Sequence, residues 1–254
     1  MTAHKLSQDR TRAIGVAVLA GRRRLSPVAA EIGSKIVAGT LTAGAALSES
    51  MFGRVGGVSR NAFREATKIL EGKGLVVSRQ GTGTRVAEPA MWNMLDPEVM
   101  AWRIAKGDID TFVADFFLFR RLIEPTAAEL AATSNNEDQI TKISEAFQTM
   151  NKLEESEPFS EKYVLADVNF HKSILIASGN EFLVSMGNLL EVPMLLLFSL
   201  TTDMELGTSY RIDMHQKLHD EIMAKNPKGA RRAAEQMLDH IADDVQHVIA
   251  GHGE

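Results

Sequence analysis

Cysteine is absent from this 254-residue chain, and no long hydrophobic run is present. Without thiols the chain has no disulfide, no thiolate nucleophile and no sulfur-ligated zinc, so His, Asp or Glu must hold any metal. No apolar stretch approaches the roughly 20 residues that cross a bilayer. A short apolar run at 13–20 ends in arginines and lacks a small-residue cleavage site, unlike a secretory signal. We therefore expect a soluble, cytoplasmic protein with no membrane partner.

Acidic residues are scarce in the first third of the chain. The first 90 residues contain 14 Lys and Arg against 6 Asp and Glu, whereas the remainder contains 14 basic and 27 acidic residues. The formal charge of −5 therefore hides a segment of +8 followed by one of −13. A polyanion such as DNA would be attracted to the first segment and repelled by the second.

Turn-forming residues divide the chain into four segments. Residues 1–26 are polar and basic and predict a flexible arm. Residues 27–89 predict three helices and a β-hairpin, which is the plan of a winged helix-turn-helix. Residues 90–108 predict a linker. Residues 109–250 have apolar positions at helical spacing and predict a bundle of six or seven helices. The expected fold class is therefore mainly α, with a winged helix-turn-helix followed by an all-helical domain.

The third predicted helix of the first domain carries the candidate DNA-reading residues. Ser59 is a typical N-cap, so Arg60 falls in the first turn and Arg64 lies one turn later on the same face. Arginines at this spacing can reach base edges or phosphates in a major groove, and Arg to guanine is the commonest specific contact. Asn61 is a further candidate for a contact with a base or a phosphate. The alternative is a solvated basic helix face.

The predicted hairpin supplies a second candidate DNA contact. Its turn places Gln80 and Gly81 at a wing tip, where the backbone can approach a minor groove. Arg79 and Arg85 flank the tip as phosphate contacts. The glycine-rich segments lack the Lys-Ser/Thr of a phosphate-binding loop, so we do not expect a nucleotide site.

The segment from Val28 to Val86 resembles the DNA-binding domain of GntR-type bacterial regulators. The resemblance rests on Val58-Ser59-Arg60, Arg64-Glu65-Ala66 and Arg79-Gln80-Gly81-Thr82-Gly83-Thr84. It implies that the paired recognition-helix arginines and the wing-tip pair of the family fall on Arg60, Arg64, Gln80 and Gly81. The family usually carries another DNA-contacting arginine in the preceding helix, where this chain has Ser50.

The second domain contains a candidate metal site. Asp167 and His171 are four residues apart and therefore share a helix face, as do His215 and His219. His240 lies on the last predicted helix. Oxygen and imidazole ligands suit Zn²⁺, Ni²⁺, Mn²⁺ or Fe²⁺. The alternative is a polar, partly buried Asp–His pair with surface histidines.

Residues 111–248 resemble the all-helical, FCD-type ligand domain in the fatty-acid-regulator branch of the same family. The resemblance rests on Phe119-Arg120-Arg121-Leu122-Ile123-Glu124-Pro125 and Ala166-Asp167-Val168-Asn169-Phe170-His171. It implies a divalent metal that is held by one Asp and three His and helps to orient a bound carboxylate. Asp167, His171 and His215 match three of these ligands. The gap-free fourth position is Met237, with His240 as a substitute one turn further on.

The same resemblance implies that Arg120 faces the effector, where its guanidinium can clamp a carboxylate. The alternative is a surface ion pair between Arg120 and Glu124. The linker from Trp92 to Trp102 resembles that of regulators responding to sugar acids, such as galactonate-type repressors. Its two tryptophans predict a hinge that packs the first domain against the second.

Together these features predict a repressor that is not an enzyme, binds operator DNA as a homodimer and is released by a small carboxylate. An aldonate or uronate is the first expectation, and another hydroxy- or dicarboxylic acid is the second. Two alternatives belong to other classes. One is a metal-dependent hydrolase or isomerase built on Asp167, His171 and His215. The other is an architectural protein that binds DNA without sequence preference.

Overall fold

The structure is a computed structural model that describes residues 26–49, 51, 59–81, 83–106, 109–158, 160–187, 189–195 and 208–251. The chain forms two compact units, one ending at Asp108 and the other running on from Ile109. The predicted arm, apart from Ser26, and position Ser50 lie outside the described residues.

The described residues of the first unit begin with two helices and a small antiparallel sheet. Most of the second of the three predicted helices lies at residues 50 and 52–58, outside the described residues. The described elements are α1 (Pro27–Val37), β1 (Ala46–Leu47), α2 (Arg60–Gly72), β2 (Val76–Arg79) and β3 (Gly83–Val86). The strand order is β1-β3-β2, with Val76 opposite Val86 and Arg79 opposite Gly83. The predicted hairpin is therefore present, and β1 extends it on the far side of β3.

The core of this unit lies between α1, α2 and the sheet. Ile32 and Ile36 on α1 meet Phe63 and Leu70 on α2, and the buried ends of the strands, including Val76, complete the cluster. The apolar positions repeat at three- and four-residue intervals on both helices, so that one face of each is buried. The opposite face of α2 is left to solvent.

The predicted linker belongs to the first unit. Residues Pro89–Met91 form a 3-10 helix, and Pro97–Ala105 form helix α3. The Trp102 ring is buried in the winged-helix core and lies so close to Gly33 that an added Cβ there would overlap it. Trp92 also packs on this core. The compact unit therefore extends past the predicted boundary at residue 89.

An ion pair fastens the beginning of α3 to the end of α2. The buried Lys73 ammonium lies 2.7 Å from Asp96 Oδ2 and 2.6 Å from Glu98 Oε2. Asp96 also caps α3, because its side chain accepts hydrogen bonds from the amides of Glu98 and Val99. Burial opposes the charged forms, but the partners outweigh it: the pKa of Lys73 is raised and that of Asp96 is lowered.

Among the described residues of the second unit, every regular element is a helix, and turns connect them. Its helices are α4 (Ile109–Ala131), α5 (Glu137–Ser156), α6 (Glu161–Ala177), α7 (Glu181–Gly187), α8 (Thr208–Met223) and α9 (Pro227–Gly251), and residues 191–195 are also helical. Helix α4 packs against α6 and α9, and α5 packs against α6 and α8. The mainly α fold class predicted from the sequence is confirmed. In the part of the chain that is described, no helix is long and apolar enough to cross a membrane.

Candidate nucleic-acid interface and metal centre

Helix α2 presents the predicted DNA-reading residues to solvent. The Ser59 hydroxyl accepts a hydrogen bond from the Ala62 amide at 3.2 Å, which confirms the N-cap. Phe63, Ala66 and Leu70 are buried on the opposite face, so the apolar side of the helix fixes which side chains point outward. All eight residues predicted to contact DNA are exposed: Ser59, Arg60, Asn61, Arg64, Arg79, Gln80, Gly81 and Arg85.

The cationic face of α2 is available to a polyanion. Arg60 is 81% exposed and lies 3.2 Å from the half-exposed Glu49, but an exposed ion pair of this kind is weak and does not withdraw a side chain. Arg64 has no ion pair or hydrogen bond through its side chain with a described residue. Lys68, which was not predicted to contact DNA, is exposed one turn beyond Arg64. Its spacing of four residues from Arg64 indicates that the two side chains share a helix face.

The wing tip is built by glycines. Gly81 and Gly83 have φ angles of 84° and 73°, in the left-handed region that favours glycine. A Cβ at Gly81 would meet no atom within 4 Å, so the backbone is open to an approaching groove. Arg85 lies at the wing base, where Nη1 donates to the Gly44 carbonyl at 2.9 Å. Arg85 therefore also braces the wing.

Helices α6 and α8 bring three of the predicted metal ligands together. His215 Nε2 lies 3.0 Å from Asp167 Oδ1 and 3.3 Å from His171 Nε2, and His171 Nε2 lies 3.3 Å from Asp167 Oδ1. Both histidines are buried, and Asp167 Oδ1 is buried without a hydrogen bond to a described residue. The Phe170 ring contacts both imidazoles edge to face and closes one side of the cluster.

The triangle of donor atoms fits a divalent metal. Ligand atoms about 2.0–2.2 Å from a metal lie about 3.0–3.5 Å apart at tetrahedral or octahedral angles, and the observed edges fall in this range. One oxygen and two imidazole nitrogens suit zinc and the other divalent transition metals. Three protein ligands leave at least one coordination position for another molecule.

A buried ion pair lies next to this triangle. Arg120 Nε donates to Glu124 Oε1 at 2.5 Å, and Arg120 Nη2 lies 3.2 Å from Glu124 Oε2 and 3.3 Å from His171 Nε2. Glu124 Oε2 is also 2.8 Å from His171 Nδ1. Both members of the pair are less than 5% exposed, so the alternative of a surface pair between Arg120 and Glu124 is wrong.

The pKa values of Glu124, Asp167 and His171 are shifted because these buried groups lie close to one another and to Arg120. Burial would raise the pKa of Glu124, but Arg120 and His171 lower it to about 2. Burial would likewise raise the pKa of Asp167, but the two imidazoles hold it well below its ordinary value. Burial would lower the pKa of His171, yet Glu124 and Asp167 raise it to about 9 against the opposing charge of Arg120. Since metal ligands must be deprotonated, a metal would compete with a proton at His171.

Two further histidines lie outside the triangle. The prediction that His240 substitutes as a fourth ligand is wrong. Among the described residues only Asp167, His171 and His215 form a metal-ligating group. His240 lines an open groove of about 490 Å³ between α8 and α9 instead, whereas Met237, the gap-free fourth position, is fully buried. His219 stacks on Phe147, with ring centroids 4.9 Å apart.

Comparison with known proteins agrees with these two units. A family model described as bacterial regulatory proteins, gntR family, matches residues 26–86, and one described as the FCD domain matches residues 115–241. An HTH-type transcriptional regulator of Escherichia coli, YieP, is 33% identical over 223 residues, covering 87% of this chain and 95% of its own length. The Escherichia coli galactonate operon transcriptional repressor is 26% identical, covering 82% of this chain and 90% of its own length.

The fold also matches a solved structure. Lar, described as controlling the expression of the Listeria monocytogenes agr system, aligns with a TM-score of 0.63 at 17% identity and covers 89% of this chain and 98% of its own. A winged helix with an exposed cationic helix, followed by a helical ligand-binding domain, defines a DNA-binding transcriptional regulator. The chain belongs to the GntR family, with an FCD domain as its ligand-binding part.

Proposed function

We propose that this regulator is a metal-dependent homodimeric repressor that a small carboxylate releases from its operator, with a sugar acid such as an aldonate or uronate as the effector. The observation that carries the proposal is the triangle of Asp167 Oδ1, His171 Nε2 and His215 Nε2 beside the buried Arg120. The similarity to a repressor named for galactonate supports the class of effector and the sign of regulation.

The charges of the cluster favour an anion. Asp167 and Glu124 contribute two negative charges and Arg120 one positive charge, so a divalent metal on neutral imidazoles would leave a net charge of +1. A metal at the triangle would supply a Lewis acid that binds one carboxylate oxygen. Arg120 can donate to the same anion, because its Nη1 makes no hydrogen bond with a described residue. The chain thus offers two cationic groups to one carboxylate.

An effector can release DNA because a symmetric dimer must keep its two recognition helices at a fixed separation. Winged-helix and helix-turn-helix dimers place two recognition helices in grooves one helical turn apart. An effector that binds more tightly to a conformation with a different separation lowers operator affinity by its differential binding free energy. The helix α2 of each protomer would carry one half-site contact.

A hydrolase is not favoured, although one arrangement resembles a charge relay. Ser144 Oγ lies 3.0 Å from His219 Nε2, and His219 Nδ1 lies 3.0 Å from Asp220 Oδ1. Ser144 is in the interior of α5, where backbone amides are used in the helix, so none of them can stabilise an oxyanion. Its hydroxyl is also directed at Met223 Sδ at 3.3 Å.

Thermal unfolding of the full chain with sugar acids and with Zn²⁺, Ni²⁺ or Mn²⁺ tests the proposal. An effector at about 100 times its dissociation constant adds about 2.7 kcal/mol of stability. We expect this gain with aldonates or uronates only when the metal is present, together with release of operator DNA in a mobility-shift assay.

His215→Ala should abolish the metal-dependent gain, whereas His240→Ala, which removes a histidine outside the triangle, should keep it. If no metal binds, or if the loaded protein keeps its operator in the presence of every acid tested, the proposal fails.

A further inference from the structure

Glu124 stands at the centre of the buried network without being one of the three candidate metal ligands. Its side chain is 4% exposed, and its two oxygens contact Arg120 and His171 at the same time. A carboxylate is removed from water at a high cost unless its lone pairs are occupied by donors. Here three donors fill that role: Arg120 Nε, Arg120 Nη2 and His171 Nδ1.

The contact with His171 determines which ring nitrogen can bind a metal. Glu124 Oε2 is an acceptor, so the nitrogen 2.8 Å away, Nδ1, carries a proton. In the neutral ring the lone pair is then on Nε2, which is the atom that faces Asp167 and His215. Without this acceptor the neutral ring could adopt either tautomer. The tautomer that is protonated on Nε2 has no lone pair on that atom for a metal.

The contact with Arg120 fixes a second group. Two hydrogen bonds to the same carboxylate hold the guanidinium in one orientation, with Nη2 3.3 Å from His171 Nε2. The Phe116 and Phe117 rings lie 5.8 Å from Arg120 Cζ and support it further. One carboxylate thus orients both a metal-ligating imidazole and the guanidinium next to it.

We infer that Glu124 is the positioning residue of the metal centre: it fixes the Nδ1-protonated form of His171 and holds Arg120 against the metal-ligating face. This inference rests on the metal of the proposed function and assigns to Glu124 a role beyond that of an ion-pair partner. Loss of a carboxylate that orients a metal-bound histidine typically weakens metal binding 10- to 100-fold.

Zn²⁺ binding by the full chain, measured by competition with a chromophoric chelator, tests the inference. Glu124→Gln should bind Zn²⁺ about 10- to 100-fold more weakly than the wild type. In the Zn²⁺-loaded wild type, a nitrogen-coupled proton resonance from His171 Nδ1 should exchange slowly with water, because its proton is buried and hydrogen-bonded. The resonance should shift or vanish in Glu124→Gln, which a purely structural role would not require.

Glu129→Gln is the matched control, because it removes a carboxylate from the same helix that pairs with the partly exposed Arg231. It should bind Zn²⁺ as the wild type does. If Glu124→Gln leaves Arg120 unpaired and does not fold, Arg120→Gln/Glu124→Gln removes both charges and supplies the same measurement.

The two proposals fail in different ways. A wild type that binds none of Zn²⁺, Ni²⁺ and Mn²⁺ overturns the metal centre and this inference with it. A wild type that binds Zn²⁺, with folded Glu124 variants that bind within about twofold and keep the His171 resonance, overturns only the role of Glu124.

Discussion

The two units of this regulator use charge in opposite ways. The first unit displays its arginines: Arg60 and Arg64 are exposed on α2, and Arg60 has one ion pair, with the partly exposed Glu49. The candidate metal centre of the second unit buries its charges: Arg120 and Glu124 are almost fully buried and depend on each other and on His171. A surface that binds a polyanion needs exposed positive charges, whereas a buried centre must pair each of its charges with a charged or hydrogen-bonding partner.

This difference has a consequence for mutation. Groups that contact DNA from the surface can be removed without disturbing the fold, so function and stability are separable there. The buried groups of the second unit contribute to both at once. Substitutions that remove one charge at a time in each unit therefore test the comparison.

The largest effect is expected from Arg120→Met. It leaves Glu124 buried with only His171 as a charged partner, which should lower the free energy of unfolding by about 3–5 kcal/mol. Arg231→Met is the control, because Arg231 forms an ion pair with Glu129 in which both side chains are about 40% exposed, and such pairs contribute at most about 1 kcal/mol. Urea denaturation followed by circular dichroism measures both. Equal losses would remove the distinction between buried and displayed charge.

The double variant Arg60→Ala/Arg64→Ala should weaken operator binding by about 3 kcal/mol, on the order of 100-fold, since each specific arginine contact contributes about 1–3 kcal/mol. Its stability should change by less than about 0.5 kcal/mol. Lys35→Ala removes a positive charge from α1 and should leave specific binding nearly unchanged. Mobility-shift titrations at fixed salt provide the measurement, and undiminished binding by the double variant would refute the assignment of α2.

Gly33→Ala tests whether α3 is part of the first unit. The added methyl group would overlap the Trp102 ring, and overpacking of a core costs about 1–3 kcal/mol. We expect faster hydrogen exchange of the amides in α1 and α3. Gly72→Ala is the control, because a Cβ there meets no atom within 4 Å. If Gly33→Ala exchanges as slowly as the wild type, Trp102 does not lie against α1.

An effect smaller than that of Arg120→Met is expected at the ion pair between α2 and α3, whose carboxylates keep part of their exposure. Lys73→Met should destabilise the first unit by about 2 kcal/mol, the contribution of a hydrogen-bonded charged pair, whereas Lys68→Met, on the exposed face, should not. The pKa of Asp96 is lowered in the folded protein, so its contribution is complete above its ordinary pKa of 3.8 and is lost as the pH falls through the lowered value.

The difference between wild type and Lys73→Met should therefore shrink on acidification below about pH 4. Hydrogen exchange of α2 and α3 at pH 7 and pH 3 measures it. A difference that does not depend on pH would show that packing alone holds α3.

Much of the fold was predictable from short-range patterns. The Ser59 cap, the exposed face of α2 and the wing turn at Gly81 and Gly83 depend on residues within four positions of one another. Prediction from the sequence was less successful where distant elements meet. Strand β1 has two residues, too few for a period, and exists because it pairs with β3. The four-residue spacing predicted that Arg120 and Glu124 share a helix face, but it did not predict that this face is buried.

The sequence by itself therefore determined the two-unit plan, the segregation of charge and the helix face that carries Arg60 and Arg64, since hydrophobic periodicity and turn chemistry are local. The family resemblance predicted that His171 and His215 share a site. Only the tertiary structure decided that their Nε2 atoms lie 3.3 Å apart, that His240 does not join them and that Glu124 lies between imidazole and guanidinium. The packing of α4, α6 and α8 sets those distances, and packing depends on the whole set of buried side chains.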